Sequence, residues 1–395
     1  MNQSPRVLHL LGDWKWTGPA EPVLDLCAAL RQRGLEVRFG CQPAPAGAPQ
    51  SLPARAEERG IPPILDFHLD RYLDVRRNLR DLRDLPRYLE RERIDLVHVH
   101  QSHDHTICGM SARRVRRKVL VVRTNHKGTP LRNSLGNRYL LKKWTDGYMT
   151  FSAPGLAADR KSFGLSPDRS FWLPTALDLR RFDPARVRAD LRPEFGFTKD
   201  HFVVAVVARM QRHRRIGLIL EGIAEARRKA PSVRGLFIGR GTHRESVAVE
   251  PARRLGLSSV VTFPGYLDGG ARKGGREHDR YVEALGAIDA LVLLVPGSDG
   301  TCRAVREAMA MGKVPIVSRR GLLPELVEDR TRGLVVEETP ASIAGAILRL
   351  ARNPELKLAL GLRARQHALE SFVPEAQARA VAEAYERLLV SHGMR

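Results

Sequence analysis

Two acidic residues near the start of one predicted helix carry the clearest chemical signal in this sequence. Asp299 and Glu307 are separated by seven residues, within a stretch typical of a strand end, a glycine-containing loop, a helix and a buried strand. A helix N-terminus offers unpaired backbone N–H groups and a partial positive charge to a diphosphate. A carboxylate about two helical turns farther along can accept hydrogen bonds from ribose hydroxyls. The pattern therefore predicts a binding site for a sugar nucleotide.

The stretch from residue 296 to residue 336 resembles the donor-site signature of the retaining GT-B glycosyltransferases of glycosyltransferase family 4. The family pattern is Glu-x7-Glu, then Ala-Met-Ala, a strand that contains Pro, and a Gly-x-Pro-Glu loop. The matching elements here are Asp299-x7-Glu307, Ala308-Met309-Ala310, Pro315 and the loop 321–325. One position departs from the family pattern, because the first acid is Asp and its carboxylate is one methylene shorter.

The resemblance implies a role for each residue of this stretch. Glu307 would hold the ribose, and Asp299 would hold the donor sugar. The helix N-terminus that would stabilise the departing diphosphate consists of Gly300, Thr301 and Cys302. A structural interpretation competes with this one, in which Glu307 only pairs with Arg303, four residues earlier on the same helix.

A basic segment, RMQRHRR, directly follows the predicted strand 202–208. Sugar transfer from a nucleotide diphosphate leaves negative charge on the phosphates, and Arg, Lys and helix N-termini can stabilise it. In the family, this place carries an Arg and, about five residues later, a Lys. Arg209 matches the Arg, and Arg214 falls at the Lys position. Arg215 is a neighbouring substitute, and a basic surface loop is the competing interpretation.

Two further segments of the second half resemble family elements that line the donor site. Gly239 and Gly241, in Phe-Ile-Gly-Arg-Gly, match a glycine pair whose small size would let the backbone approach the nucleotide. Tyr266, in Phe-Pro-Gly-Tyr, matches a strand-end element that commonly contacts the base. All three are therefore expected to contribute to donor binding.

Histidines follow two predicted strands of the first half. His98 and His100, in Asp-Leu-Val-His-Val-His, share one face of a strand because side chains alternate. His100 lies nearest the carboxyl end, where open parallel sheets bind ligands, and it matches the family His beside the transferred sugar. With His103 and His105 nearby, a metal site is an alternative. No acidic or Cys ligands complete such a site, so no metal is expected, and His98, His103 and His105 are interpreted as hydrogen-bonded structural residues.

The acceptor is expected to bind to loops of the first half. His126 matches the family's strand-end His-Gly loop, with one residue inserted. The first loop departs from the family, since most members have Gly-Gly where this chain has Gly18 followed by Pro19. Trp14 and Trp16 precede this glycine, and Trp16 could stack on a sugar ring. A packed hinge is the competing interpretation for both tryptophans.

A formal net charge of +22 points to an anionic partner: nucleic acid, a membrane surface or a phosphorylated substrate. The basic residues cluster in 71–93 and 113–118. Amphipathic helices with a solvated face explain the first cluster, and a face resting on anionic headgroups is the alternative, at about 1 kcal/mol for each Lys or Arg. Aromatic residues make up only 6% of the chain and no RNA-binding signature is present, which disfavours nucleic acid.

The alternation of short apolar runs with helical patterns predicts an α/β protein with doubly wound parallel sheets, and the length suggests two domains. The family resemblance implies the GT-B type, in which two Rossmann-like domains face each other across a cleft. The predicted domains are residues 1–173, for the acceptor, and 174–374, for the nucleotide sugar, with a C-terminal helix in 375–395 returning to the first domain. No apolar run is long enough to span a bilayer, no signal peptide is recognised, and four scattered cysteines suit a reducing cytoplasm.

The resemblance implies a retaining glycosyltransferase that uses a UDP- or GDP-linked sugar and requires no cofactor. The expected acceptor is a glycan or a lipid-linked molecule such as a lipopolysaccharide core. The expected location is the cytoplasm, at the inner face of the membrane. The alternatives are a non-catalytic protein that binds sugar nucleotides or glycans, and a GT-B epimerase.

Overall fold

The computed structural model describes residues 4–16, 18–48, 51–70, 74–267, 279–297 and 300–394. The chain divides into two compact units by its internal contacts. The first unit comprises Met1–Ala176 and Pro374–Arg395, and the second comprises Leu177–Val373. The predicted fold class of two α/β domains with parallel sheets is confirmed.

Seven parallel strands form the sheet of the first unit, in the order β3-β2-β1-β4-β5-β6-β7. These strands are β1 (Arg6–Leu11), β2 (Glu36–Cys41), β3 (Pro63–Ile64), β4 (Leu96–Val99), β5 (Leu120–Asn125), β6 (Gly147–Thr150) and β7 (Ser170–Trp172). Its helices are α1 (Ala20–Gln32), α2 (Leu52–Glu58), α3 (Val75–Arg91), α4 (Ser102–Ala112), α5 (Leu135–Lys143), α6 (Ala153–Phe163) and, last in the chain, α14 (Pro374–Ser391).

The two faces of this sheet are covered by different helices, as strand alternation requires. In β1, Val7 and Leu11 pack into a core that includes α1 and α14, whereas Leu8 and Leu10 pack on the opposite side with α3 and α4. Tyr385 belongs to the first of these cores and is fully buried. The last helix of the chain therefore completes a core that the first strand begins.

Within the basic segment, Val75–Arg91 form one amphipathic helix, α3, and the backbone hydrogen bond lost at its internal proline is replaced by a side chain. Pro86 has no N–H, so the carbonyl of Leu82 loses its intrahelical donor. The Arg114 guanidinium donates to that carbonyl over 3.2 Å. Part of the charge on this surface is also balanced locally, since Arg80, Arg83 and Arg87 lie around Asp84.

Six parallel strands form the sheet of the second unit, in the order β10-β9-β8-β11-β12-β13. These strands are β8 (Phe202–Val207), β9 (Val233–Ile238), β10 (Val261–Gly265), β11 (Ala290–Leu293), β12 (Val314–Val317) and β13 (Leu334–Val335). Its helices are α7 (Ile216–Lys229), α8 (Glu250–Arg254), α9 (Arg280–Gly286), α10 (Arg303–Ala310), α11 (Leu323–Val327), α12 (Pro340–Ala351) and α13 (Pro354–Ser371).

Each sheet reverses its strand order at one place. The reversal lies between β1 and β4 in the first unit and between β8 and β11 in the second. Ligands of open parallel sheets bind outside the carboxyl ends of the strands at such a reversal, because neighbouring connections leave the sheet on opposite faces there. The two sets of residues predicted to do chemistry follow these strand ends.

Candidate functional site

Arg214 bridges the order reversal of the second sheet. It ends a short 3₁₀ turn that follows β8, and its Nη1 donates to the carbonyl oxygen of Val295 after β11, over 2.7 Å. A Cβ on Gly297 would lie 2.4 Å from Nη2 of Arg214, so the guanidinium lies directly against the loop that leads to α10. Within the part of the chain that the structure describes, the buried Nε of Arg214 has no hydrogen-bond partner.

The charge of this guanidinium is only partly solvated. Burial lowers the pKa of Arg214, and the nearby positive charge of Arg209 acts in the same direction. An anion placed here would offset both effects, since it would supply an opposite charge to a desolvated cation. Arg209 itself is exposed on the same strand-end loop. The two arginines that the sequence singled out are therefore electrostatic neighbours.

Arg215 has a different environment from Arg214. It adopts a left-handed conformation, with φ of 58°, at the start of α7. Its Nε lies 3.3 Å from Oε2 of Glu338, which also pairs with Arg320. Arg214 therefore faces the loop after β11, whereas Arg215 forms a surface ion pair. The sequence alone does not distinguish these two environments.

Gly239 and Gly241 are required by contacts between protein loops. A Cβ on Gly239 would lie 2.1 Å from the carbonyl oxygen of Ala208, and a Cβ on Gly241 would lie 2.2 Å from that of Met210. A backbone hydrogen bond joins the same loops, from Met210 N–H to Arg240 oxygen at 3.0 Å, and Gly239 N–H donates to Gly265 oxygen at the end of β10 at 2.7 Å. The glycines thus set the position of the loop that carries Arg209 and Arg214.

Tyr266 directly follows β10 at the same edge of the sheet. Its side chain is partly exposed, and the Arg240 guanidinium lies 5.3 Å from the ring centroid. An exposed aromatic ring with a cation on one face leaves a stacking surface of the kind that bases use. This placement agrees with the predicted contact to a base, which stays a prediction.

The N-terminus of α10 is built around a buried arginine. Arg306 donates from Nε to the carbonyl oxygen of Thr301 at 2.9 Å and from Nη2 to its hydroxyl at 2.6 Å. Thr301 and Cys302 are buried, and Cys302 has a left-handed conformation with φ of 54°. Arg306 thereby fixes the turn from Gly300 into the helix. Asp299 lies outside the described residues, so its predicted contact with the donor sugar stays a prediction.

Glu307 is buried and already has two partners. The hydroxyl of Tyr281 donates to its Oε2, and Nε of Arg303 lies 3.1 Å from its Oε1. The pairing with Arg303 is the one that the structural interpretation proposed. Burial, together with the charge of Glu307, raises the pKa of Tyr281 well above its ordinary value. Glu307 is thus a positioned acceptor, and a ribose hydroxyl would have to share it with these groups or replace one of them.

Four histidines lie together at the order reversal of the first sheet. His9 and His98 face each other across β1 and β4, and His100 and His126 follow the ends of β4 and β5. His9 Nδ1 lies 3.1 Å from His100 Nε2, and His100 Nδ1 lies 2.9 Å from His126 Nε2. Both nitrogens of His100 are therefore engaged within the protein. His126 is the imidazole at the end of this series.

Burial favours the neutral state of His9, His98 and His100. It lowers the pKa of His9 to about 3, and it lowers the pKa of His98 and His100 well below 6.5. One nitrogen from each of His9, His98 and His100 falls within 4.8 Å of the others, and this is the one such His, Cys or acidic group among the described residues. His9 was not predicted from the sequence as a site residue, although both RVLHLL and LVHV carry a histidine on the same side of adjacent strands.

The remaining predicted residues of the first unit make contacts within it. His103 bonds the carbonyl of Gly12 at 2.9 Å, and His105 bonds the hydroxyl of Thr145 at 2.7 Å. Trp16 packs against the core beneath α1 and α14, with the Arg59 guanidinium 5.0 Å from its ring. Gly18 is half-buried just before α1. The packing of Trp16 agrees with the hinge interpretation more than with a sugar platform.

Two family matches cover most of the chain. Residues 17–181 match the family described as Glycosyltransferase Family 4, and residues 187–367 match Glycosyl transferases group 1. Together they follow the two units of the structure.

The chain belongs to the GT-B glycosyltransferases. Among curated relatives of this chain, a D-inositol 3-phosphate glycosyltransferase of Saccharomonospora viridis is 28% identical over 216 residues, which are 52% of this chain and 47% of the relative. The chain spans about half the length of most of the first relatives it matches.

Solved structures share the whole fold. HepE of Anabaena in complex with UDP superposes with a TM-score of 0.78 at 17% identity, covering 96% of this chain and 99% of that one. WaaG, described as a glycosyltransferase involved in lipopolysaccharide biosynthesis, superposes with a TM-score of 0.67 at 15% identity, covering 95% and 98%. At these identities the likeness shows the fold alone.

Proposed function

We propose that this glycosyltransferase moves a sugar from a nucleotide-diphospho-sugar to an acceptor with retention of the anomeric configuration. The observation that carries the proposal is the environment of Arg214. Its half-buried guanidinium lies at the order reversal of the second sheet, beside the loop into α10, with an unpartnered Nε among the described residues. A buried donor without a partner costs free energy, and a diphosphate oxygen would satisfy it.

In the proposed mechanism, the protein itself balances the charge of the leaving group. Arg214 and Arg209 face the diphosphate, and the N-terminus of α10 at Gly300–Cys302 adds its partial positive charge. Glu307 accepts from the ribose, and Asp299 holds the donor sugar. Because these groups supply the cationic stabilisation, no metal and no cofactor is required. The departing phosphate assists attack from the same face, which accounts for retention.

For the donor, we favour UDP over GDP as the nucleotide. HepE, which shares the fold, binds UDP. Tyr266 offers a partly exposed ring beside Arg240 at the carboxyl end of β10, where a uracil could stack. This preference is part of the proposal, and the binding experiment below distinguishes the two nucleotides.

For the acceptor, we favour an anionic molecule, either phosphorylated or lipid-linked. The 41 residues between Asp104 and Asp146 contain eleven Arg and Lys and no Asp or Glu. They include α5, where Leu135 is 86% exposed and Tyr139 is 53% exposed. A relative acts on inositol 3-phosphate by its name, and WaaG acts in lipopolysaccharide biosynthesis by its description.

The same surface supports peripheral contact with an anionic membrane. Around α5, five cations have no acidic partner among the described residues: Lys127, Arg132, Arg138, Lys142 and Lys143. Exposed apolar side chains next to such charges are typical of helices that lie at a bilayer surface. None of the described helices has the length and apolar character that crossing a bilayer requires.

Calorimetric titration with UDP, GDP and ADP tests the donor site first. We expect micromolar binding of UDP that Arg214→Gln weakens strongly. Incubation with UDP-hexoses and lipid or glycan acceptors then tests transfer, read as UDP release and labelled product. Binding of UDP without release or transfer would favour the non-catalytic alternative, and interconversion of the UDP-sugar without an acceptor would favour the epimerase. No binding of any nucleotide to the folded protein would overturn the proposal.

A further inference from the structure

Beneath α14, six buried side chains of the first unit form one continuous hydrogen-bonded chain. Its five links are Thr124 Oγ1 to His98 Nε2 at 2.6 Å, His98 Nδ1 to Tyr385 Oη at 2.5 Å, Tyr385 Oη to His9 Nε2 at 3.2 Å, His9 Nδ1 to His100 Nε2 at 3.1 Å, and His100 Nδ1 to His126 Nε2 at 2.9 Å. We call this set the histidine chain. It runs from β5 through α14 and back to the carboxyl edge of the sheet.

Proton counting restricts the histidine chain to two arrangements. A neutral imidazole has one N–H donor and one acceptor nitrogen, and a tyrosine hydroxyl has one proton. His9, His98 and His100 are neutral because burial lowers the pKa of each. The Tyr385 oxygen could accept from both His98 and His9, but its own buried proton would then have no acceptor among the described residues, which is costly. If every link is a hydrogen bond and the Tyr385 proton is used in one of them, the direction of donation at one link fixes the direction at all the others. The protons therefore all point either toward His126 or toward Thr124.

Thr124 decides between the two arrangements. Among the described residues, its hydroxyl contacts one partner, Nε2 of His98. If His98 donated to Thr124, the buried threonine proton would have no acceptor, which is costly. With Thr124 as the donor, all the protons point toward His126, and the buried Nδ1–H of His126 is the proton that remains for a bound oxygen to accept. Among the described residues, the reverse arrangement would leave both the Thr124 proton and a buried lone pair on His126 Nδ1 unsatisfied, so we take the first arrangement. Each of His9, His98, His100 and His126 then carries its proton on Nδ1.

We propose that Thr124 and Tyr385 are positioning residues that fix the tautomer of the histidine pair at the candidate acceptor site. The Tyr385 hydroxyl accepts from His98 and donates to His9, and His9 donates in turn to His100. Because His126 accepts from His100 through Nε2, its Nδ1 carries the proton and acts as a donor. A donor suits an oxygen of a sugar hydroxyl or of a phosphate, and it excludes His126 as the base that removes a proton. The link to transfer rests on the proposed function.

Ring geometry favours this chain over a metal site built from the same residues. The centroids of His9 and His100 are 5.3 Å apart while their nearest nitrogens are 3.1 Å apart, so these rings meet edge to edge. His98 and His100 instead stack at 4.5 Å with 25° between their planes. A metal lies near the plane of each imidazole that binds it, and two stacked rings direct their lone pairs along different lines.

Nitrogen-15 NMR of histidine side chains tests the tautomers directly in the full-length protein. We expect Nδ1–H signals for His9, His98, His100 and His126. His105 is an internal reference of opposite tautomer, because the Arg123 guanidinium donates to its Nδ1 over 3.1 Å and leaves the proton on Nε2. Nε2–H signals for His100 and His126, or stoichiometric metal that is lost in His9→Gln, would overturn the proposal.

Variants then test the positioning role. Tyr385→Phe keeps the ring but removes the hydroxyl that joins His98 to His9. Thr124→Val removes the hydroxyl that donates to His98. We expect both to give mixed tautomers at His100 and His126, and to lower kcat by roughly fivefold to tenfold while the KM for the donor is unchanged. Thr124→Ser should restore the wild-type tautomers and kcat. Tyr88→Phe, which removes another buried hydroxyl of this unit, controls for stability.

The two proposals fail in different ways. If the tautomers follow Thr124 and Tyr385 but no sugar is transferred, the proposed function fails and the inference about tautomers stands. If transfer occurs but Tyr385→Phe leaves the His100 and His126 signals and kcat unchanged, the positioning role is wrong while the function stands.

Discussion

The guanidinium of Arg214 donates to the carbonyl oxygen of Val295, and this bond joins the loops that follow two adjacent strands, β8 and β11. These strands flank the order reversal of the second sheet. The bond holds a partly desolvated cation at the place where a parallel sheet binds its ligand. Arg215, the next residue, turns away to Glu338.

The different environments of Arg214 and Arg215 predict that their substitution changes the affinity for a nucleotide by different amounts. Arg214→Gln should weaken UDP binding by about 10- to 100-fold, because a hydrogen bond to a charged group is worth about 1.5–3 kcal/mol. Arg215→Gln should change it by about twofold or less, since an exposed ion pair contributes little. Isothermal titration calorimetry of the two variants measures both. Equal losses would contradict the assignment of Arg214 to the diphosphate.

Two substitutions of Glu307 should distinguish its effect on UDP binding from its effect on the stability of the protein. Glu307→Ala should lower the free energy of unfolding by about 1–3 kcal/mol, because the buried Tyr281 hydroxyl loses its acceptor. Glu307→Gln keeps an acceptor oxygen for Tyr281 and should unfold nearly as the wild type does, yet still lose UDP affinity. Thermal unfolding and titration of both variants check this. Unchanged UDP affinity in Glu307→Gln would restrict Glu307 to the structural role of pairing with Tyr281 and Arg303.

Loop glycines should be intolerant of a methyl group. Gly239→Ala and Gly241→Ala each place a Cβ against a backbone carbonyl oxygen that cannot rotate away. We expect a loss of about 2 kcal/mol or more in the free energy of unfolding for each. Gly217→Ala is the matched control, because nothing lies within 4 Å of its Cβ and it is helical, so alanine should be neutral or stabilising there. Urea unfolding compares the three variants, and an equal effect of all three would contradict the contact argument.

Acid should destabilise the first unit through its buried histidines. In the unfolded chain they titrate near 6.5, whereas burial lowers the folded pKa of His9 and of His105 to about 3. Above pH 6.5 these histidines therefore do not reduce the free energy of unfolding. Below pH 6.5 only the unfolded chain takes up protons, so the free energy of unfolding falls as the pH drops. Each such histidine contributes on the order of 1 kcal/mol per pH unit.

Tryptophan fluorescence can follow this effect in the first unit alone. All four tryptophans, at positions 14, 16, 144 and 172, belong to that unit. Urea unfolding should show stability decreasing from about pH 6.5 to about pH 4, with a smaller slope for His105→Gln. A stability that rises on acidification would show that the histidines are not buried as neutral groups.

The exposed face of α5 should control membrane binding. Leu135→Glu and Tyr139→Glu place like charges against an anionic surface and remove apolar contacts, so each should reduce binding to vesicles rich in anionic lipid. Leu358→Glu is the matched control, because Leu358 is 62% exposed on α13 in the other unit. Vesicle sedimentation at low and high salt measures binding. Equal effects of all three substitutions would rule out α5 as the contact.

Much of the fold follows from patterns that the sequence displays locally. The predicted strand 202–208 coincides with β8 within one residue. Two short edge strands, β3 and β13, went unnoticed because two residues carry no periodicity. The predicted domain boundary after residue 173 lies three residues before the division that the contacts give.

The candidate site was less accessible from the sequence than the fold. The spacing pattern predicts donor positions for Arg214 and Glu307, but it does not reveal that Arg215 has a left-handed backbone and pairs with Glu338. His9 and Tyr385 join His100 only through strand register and helix packing, across 91 and 285 residues of chain. No local pattern encodes contacts of that separation.

The position of Tyr385 on the last helix affects when this protein can fold during synthesis. Domains often fold as they leave the ribosome, the N-terminal one first. Here the histidines of the first unit are translated early, but their central hydroxyl and the apolar residues of α14 arrive only after the whole second unit. Until then, part of the first sheet lacks its cover. The nascent first unit should therefore stay incomplete and protease-sensitive until the second unit and α14 have both been synthesised.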